Sequence, residues 1–158
     1  MLPLRHLVFG ILFGLILFAI FPQIGLTGFL LIVSSNVLID IDHYLYYVYR
    51  KKDLNLKKAY SWYIDNGKKY WTLSKKQQKN VYFGICFLHG IEAMIILFLF
   101  FFYFKSPFYL FILTGFVFHQ LLDLIEIIHD KVNPYRIISL MHSLFYAKKK
   151  IFVEDCKK

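Results

Sequence analysis

The chain has 158 residues, of which 58% are hydrophobic, with 18 Phe and 12 Tyr among them. A water-soluble domain of this size lacks the volume to bury so many rings, which leaves a single-domain integral membrane protein as the expected class. The formal net charge of +9 admits nucleic acid as a partner, but the basic residues flank apolar runs and fall on one side of them, which argues for a membrane surface instead.

The first apolar run covers residues 4–21. Arg5 precedes it as in a signal peptide, but no small-x-small cleavage pattern follows, so a retained first helix is expected. A short uncharged loop, residues 22–25, leads to a second run at 26–49. This run is apolar up to Val33, then turns polar at Ser34, Ser35 and Asn36 before Asp40-Ile41-Asp42-His43. It ends in Tyr44, Tyr46, Tyr47 and Tyr49, rings that favour the membrane–water boundary.

Residues 50–80 differ in kind. Ten Lys or Arg against two Asp give them a net charge of +8, and Trp62, Trp71, Tyr60, Tyr63 and Tyr70 are interleaved with the lysines. The expected partner of this basic interfacial segment is a layer of anionic lipid headgroups, with nucleic acid the less favoured reading. A third run at 81–104 carries His89 and Glu92. After a turn at Lys105-Ser106-Pro107, a fourth run at 108–128 carries His119, Asp123 and Glu126. Residues 134–153 have the spacing of a C-terminal amphipathic helix, and the tail from Glu154 is expected to be mobile. The expected fold is therefore an all-α bundle of four transmembrane helices. No internal repeat, glycine-rich phosphate loop or nucleophile elbow occurs.

Arg5, residues 50–80 and the basic residues from Lys131 onward fall on one side of such a bundle, and Lys105 alone on the other. Both termini are then expected in the cytoplasm. At about 1.5 Å of rise per residue, His6, Asp40, His43, His89, His119 and Asp123 lie in the same, cytoplasmic half, drawn from all four spans. Asn36, Asp40 and His43 share a helical face, as do His89 and Glu92, and so do His119, Asp123, Glu126 and Asp130. Asp42 falls out of phase. His129 and His142 read as interfacial histidines.

A lone buried Asp–His pair is more often a structural hydrogen bond than a site. Six such residues at one depth would carry a large insertion penalty unless something compensated them, and a divalent cation compensates several carboxylates at once. Imidazoles and carboxylates without cysteine suit zinc first, then manganese or iron, with one or two ions. His6, Asp40, His43, His89, His119 and Asp123 are the expected ligands. Asp42, Glu92 or Glu126 is the expected general base or water-positioning group. Because histidine ligands must be neutral, binding should weaken in mild acid. Cys86 lies in an apolar run and Cys156 in a charged tail, so no disulfide is expected between them.

Four blocks resemble the bacterial and archaeal inner-membrane family known as membrane-bound metal-dependent hydrolases, a group that includes the LexA-binding inner-membrane hydrolase. His6-Leu-Val-Phe-Gly10 is similar to the family's His-x-x-x-Gly, and Asp40-Ile41-Asp42-His43 to its Pro-Asp-x-Asp-His. His89-Gly90 resembles part of its His-Arg-Gly-x-x-His-Ser, and Gly115-x-x-x-His119-x-x-x-Asp123 its Gly-x-x-x-His-x-x-x-Asp. The chain departs from the pattern at Ile39, where the family has proline, and after His89, where its arginine and second histidine are missing; Glu92 is the acid nearest to the gap. The resemblance implies a metal-dependent hydrolytic activity in a prokaryotic inner membrane.

A site just below the cytoplasmic headgroups suits a lipid or lipid-linked substrate, a phosphoester above all. Two other classes stay open at this point. One is a metal-ion or proton transporter, which needs access from both sides and usually broken helices. The other is a non-catalytic protein with a structural metal.

Overall fold

A computed structural model describes residues 3–78, 80–82, 84–129 and 139–156, and these are mostly helical. Helix α1 spans Pro3–Ile20, with proline at its start, where no backbone donor is lost. A single 3-10 turn, Pro22–Ile24, reverses the chain. Gly25 follows at φ +61°, a conformation that glycine adopts without strain. Then come α2 (Gly25–Leu38), α3 (Ile41–Lys51), α4 (Leu56–Thr72) and the short α5 (Lys75–Gln78). Helices α6 (Ile91–Phe104), α7 (Pro107–His129) and α8 (Leu140–Lys149) complete the set among the described residues. Two short strands, β1 (Val81–Tyr82) and β2 (Ile151–Phe152), pair in parallel, Val81 opposite Ile151 and Tyr82 opposite Phe152.

The first and fourth expected spans coincide with α1 and α7 to within a residue or two. The second and third do not. The second is divided at Ile39–Asp40, where Asp40 N donates to Val37 O (3.3 Å) and His43 N to Asp40 O (3.1 Å). These i→i+3 bonds tighten one turn while Ile39 and Asp40 keep helical dihedrals, so α3 continues α2 after a local overwinding. The third expected span loses its first ten residues. Val81 and Tyr82 pair with the end of the chain, the backbone from Gly84 to Gly90 is irregular, and helix begins only at Ile91. His89 and Glu92 therefore do not share a helical face.

Two stretches, Pro22–Lys51 and Pro107–Glu126, are long and apolar enough to cross a membrane. The apolar parts of α1 (Leu4–Ile20) and α6 (Ile91–Phe104) are shorter. Helix α2 packs between α1 and α7, and α6 lies along α7. Glycines set the approach. A Cβ at Gly14 would press on Phe29 and Val33, one at Gly28 on Phe111, and one at Gly115 would overlap Ser35 Oγ and the Ile32 carbonyl oxygen. What these helices bury is unusual. The buried residues include His6, Ser35, Asn36, Asp42, His89, His119 and Asp123, whereas Leu12, Ile16, Leu99, Phe102, Leu121 and Ile125 are exposed.

The basic segment is not a loose surface strip. Asn55 Oδ1 accepts from Lys58 N (3.0 Å) and caps α4, whose buried face carries Ala59, Asn66 and Tyr70. Tyr70 and Leu73 form a small core with Val81, Phe152 and Val153. Trp62 stacks on Phe152 with ring centroids 5.4 Å apart. Residues 154–156, expected to be mobile, are docked: Asp155 pairs with Arg50, Glu154 with Lys51, and Lys69 Nζ donates to Glu154 O (2.7 Å). Asp130, the expected amphipathic start at residues 134–138, and the side chains of His129 and His142 lie outside the described residues.

Candidate metal centre

The overwound turn places Asp40, Asp42 and His43 in sequence at the junction of α2 and α3. Asp40 and His43 keep the i,i+3 relation expected of them, with His43 Nε2 3.6 Å from Asp40 Oδ1. Asp42 points elsewhere and is completely buried. Its Oδ2 accepts from Leu88 N (2.9 Å) and from His89 Nδ1 (3.0 Å). The irregular segment before α6 is thereby fixed to α3, and His89 is held with Nε2 facing inward.

His119 is oriented in the same way by a different group. Its Nδ1 donates to the main-chain oxygen of Asn36 (2.7 Å), a carbonyl that α7 reaches because Gly115, one turn earlier, lets its backbone lie against α2. With both Nδ1 atoms donating, the two Nε2 atoms present lone pairs, and they face each other at 3.1 Å. Asp40 Oδ1 lies 3.4 Å from one and 3.6 Å from the other. Ligands about 2.1 Å from a first-row metal ion, at tetrahedral angles, are about 3.4 Å apart. Asp40, His89 and His119 thus have the spacing of a three-donor face that could hold one ion, and each histidine has the second hydrogen bond that metal-ligating histidines nearly always make.

Asp123 lies beside this face, its Oδ2 3.4 Å from His119 Nε2 and 3.9 Å from His89 Nε2. His6, with no exposed surface, stacks on the His119 ring and brings Nε2 to 3.2 Å from Asp123 Oδ1. His6, His119 and Asp123 make a second set of donors close enough to share a cation. The Asn36 side chain ties α1 to this arrangement, since its Nδ2 donates to His6 O (2.6 Å).

All six sequence-expected ligands therefore meet, but not on equal terms. Asp40, His89 and His119 converge on one point, Asp123 and His6 flank it, and His43 turns its Nδ1 outward to Cys86 Sγ (3.1 Å). Of the three expected bases, Asp42 is spent on orienting His89. Glu92 accepts from Ser139 Oγ (2.7 Å), Leu140 N (2.9 Å) and Met141 N (3.3 Å), so it caps the start of α8 instead of entering the cluster. Glu126 lies toward Arg5 (3.9 Å) on the rim. Its stripe with His119 and Asp123 is real, but the cluster uses only the deeper part of it.

Cys86 and Asn36 were not among the expected site residues. Asn36 was visible as a polar residue one turn before Asp40; its main-chain contribution to His119 has no sequence signal. Cys86 was hidden by its apolar neighbours. Tyr63 of α4 lies over His43, ring centroids 5.1 Å apart. Burial, with Cys86 and Asp42 nearby, pushes its phenol above the ordinary tyrosine range and keeps it neutral.

Exposure is graded across the cluster. The side chains of His6, His89 and His119 are closed off, Asp123 and Asp40 are 11% and 16% exposed, and His43 is 32% exposed. The most exposed of these side chains, His43, belongs to α3. Three carboxylates and four imidazoles in this space can hold a metal ion. Asp40 Oδ2 and Asp42 Oδ1 are buried without a hydrogen-bond partner among the described residues, which fits a site built for cations. No protein-family model matches the chain, and neither curated proteins nor solved structures give a match.

Proposed function

We propose that the chain is a membrane-embedded, metal-dependent hydrolase whose four apolar helical segments span a prokaryotic inner membrane, with both termini in the cytoplasm. Its substrate class is a lipid or lipid-linked phosphoester drawn from the cytoplasmic leaflet. The observation that carries this reading is the open three-donor face of Asp40, His89 and His119 with a fourth acid, Asp123, beside it. Three protein ligands with a free position are the pattern of catalytic rather than structural zinc, and zinc is the preferred ion. The reversal of polarity supports the membrane setting, since buried polar groups and exposed Leu, Ile and Phe suit hydrocarbon as the surrounding solvent. The four sequence blocks that resemble metal-dependent hydrolases contain these same residues.

When bound, such an ion supplies Lewis acidity and lowers the pKa of a water towards neutrality. The chain's own residues do the rest. Asp42 and the Asn36 carbonyl fix the two imidazoles. Asp123, held by His6, takes the proton from the attacking water. The lysines of α4, which packs on α3, raise the local concentration of anionic headgroups near that side of the cluster.

Helix overwinding at Asp40 favours one other reading, because transporters place ions at discontinuous helices. One experiment separates the two. Protein in detergent is incubated with phospholipids and isoprenoid phosphates, with and without chelator, and the same preparation in liposomes is tested for metal flux. Chelator-sensitive release of phosphate or headgroup is expected, lost in Asp40→Ala. Asp123→Asn should keep its metal and turn over about 10²–10⁴-fold more slowly. No turnover across the panel, with a metal gradient dissipated instead, would make the protein a transporter.

A further inference from the structure

Next to the three-donor face, on the side away from His6, lies a further set of donors, and it contains a thiol. Cys86 Sγ is 3.1 Å from His43 Nδ1, and His43 Nδ1 is 3.8 Å from Asp42 Oδ1. Asp42, His43 and Cys86 each bring a ligand atom within 4.8 Å of the others. The Asp42 oxygen decides what this set is for. It is fully buried and has no hydrogen-bond partner among the described residues. An ionised carboxylate oxygen in that position carries the penalty of an uncompensated buried charge unless a cation or donor meets it. His43 Nδ1 is too far away to donate to it and is turned to the sulfur instead.

We propose that Asp42 Oδ1, His43 Nδ1 and Cys86 Sγ form a second metal site, for a thiophilic dication of the zinc class, adjacent to the site of Asp40, His89 and His119. The proposal deepens the hydrolase reading and rests on it for the first ion only.

The chemistry of the donors sets the ion. One thiolate, one imidazole and one carboxylate suit zinc or cadmium and disfavour magnesium or calcium, which take oxygen ligands. Charge balance points to two ions rather than one. Asp40, Asp42 and Asp123 are three carboxylates in a buried space; a single dication leaves one of them uncompensated, and a second covers it while displacing the Cys86 thiol proton. Asp42 would join the sites, its Oδ2 holding His89 for the first ion and its Oδ1 binding the second. His43 lies at the more open end, so the second ion would be the one nearer to entering substrate, placed to bind a phosphoryl oxygen while the first holds water.

The test uses full-length protein in detergent, with Cys156→Ser so that Cys86 is the single thiol. Cobalt(II) is titrated into metal-free protein, with stoichiometry and the near-ultraviolet thiolate-to-cobalt band as readouts. Two ions per chain and a thiolate band are expected. Cys86→Ser and His43→Ala should each bind one ion and lose the band, whereas Asp40→Ala should lose an ion and keep it. If a variant fails to fold, protection answers the same question without one: zinc should slow maleimide labelling of Cys86 about tenfold or more. One ion without a thiolate band, abolished by Asp40→Ala, would overturn the second site and leave the first standing. Two ions unaffected by Cys86→Ser, or labelling indifferent to zinc, would also overturn it. No bound ion at all would remove both sites.

Discussion

Asp42 is the residue on which most of the cluster depends, although no substrate need touch it. Its Oδ2 receives the Leu88 amide and the His89 imidazole, so one carboxylate fixes both a backbone segment and a ligand tautomer. Asp42→Asn preserves the size of the side chain but removes the charge, and its amide nitrogen must face either His89 or the side that Oδ1 shares with His43. Loss of such a supporting group typically costs about 10–100-fold in metal affinity. That loss is the expected outcome for the first ion, measured by competition with a chelating dye in the Cys86→Ser background, where the second site is already absent. An unchanged affinity would mean that Asp42 is structural only. Residue spacing made Asp42 look like a flanking acid because an i+2 position on a helix points away from its neighbour. What spacing does not carry is that a distant loop supplies its partners.

Among the elements, α2 and α7 have the closest approach that matters. Gly115 lies one turn before His119, where any Cβ would meet Ser35 Oγ and the Ile32 carbonyl oxygen. The hydroxyl can rotate away, but the carbonyl cannot, so Gly115→Ala must push α7 outward. The His119 Nδ1 bond to Asn36 O, 2.7 Å long, would lengthen with it. Overpacking of this kind costs about 1–3 kcal/mol, and here part of it falls on the site. Gly115→Ala is expected to lower both the midpoint of thermal unfolding and the metal content of purified protein. Gly84→Ala, whose Cβ would find nothing nearer than 3.7 Å, should change neither. Helical phase was enough to find His119 with Asp123 and Asp40 with His43, because both pairs lie on continuous or nearly continuous helix. It failed for His89 and Glu92. The apolar run at 81–104 looks like one helix, but β1 is claimed by strand β2 nearly seventy residues later in the chain. Hydropathy records side-chain polarity and is blind to such a long-range backbone pairing.

At the scale of the whole molecule, the helical bundle and the small aromatic cap are joined through the loop that carries Cys86 and His89. That loop begins at β1, and β1 is held by β2, by the core of Tyr70, Leu73 and Val153, and above all by Phe152. Phe152 is 2% exposed, stacks on Trp62, and lies under the Arg50 guanidinium at 4.1 Å. Truncating a buried phenylalanine costs about 3–5 kcal/mol, and it would take from Tyr46, Trp62 and Tyr82 the ring they pack against. Helices α1, α2, α6 and α7 do not depend on Phe152, since they pack on one another. Phe152→Ala should therefore leave helical circular dichroism nearly unchanged, speed hydrogen exchange in residues 81–90 and release metal more readily, as the loop loses its hold on His89. Equal exchange rates in that loop, with the cap core demonstrably loosened, would show that Asp42 alone suffices to fix His89 and that the C-terminal strand contributes nothing to the site.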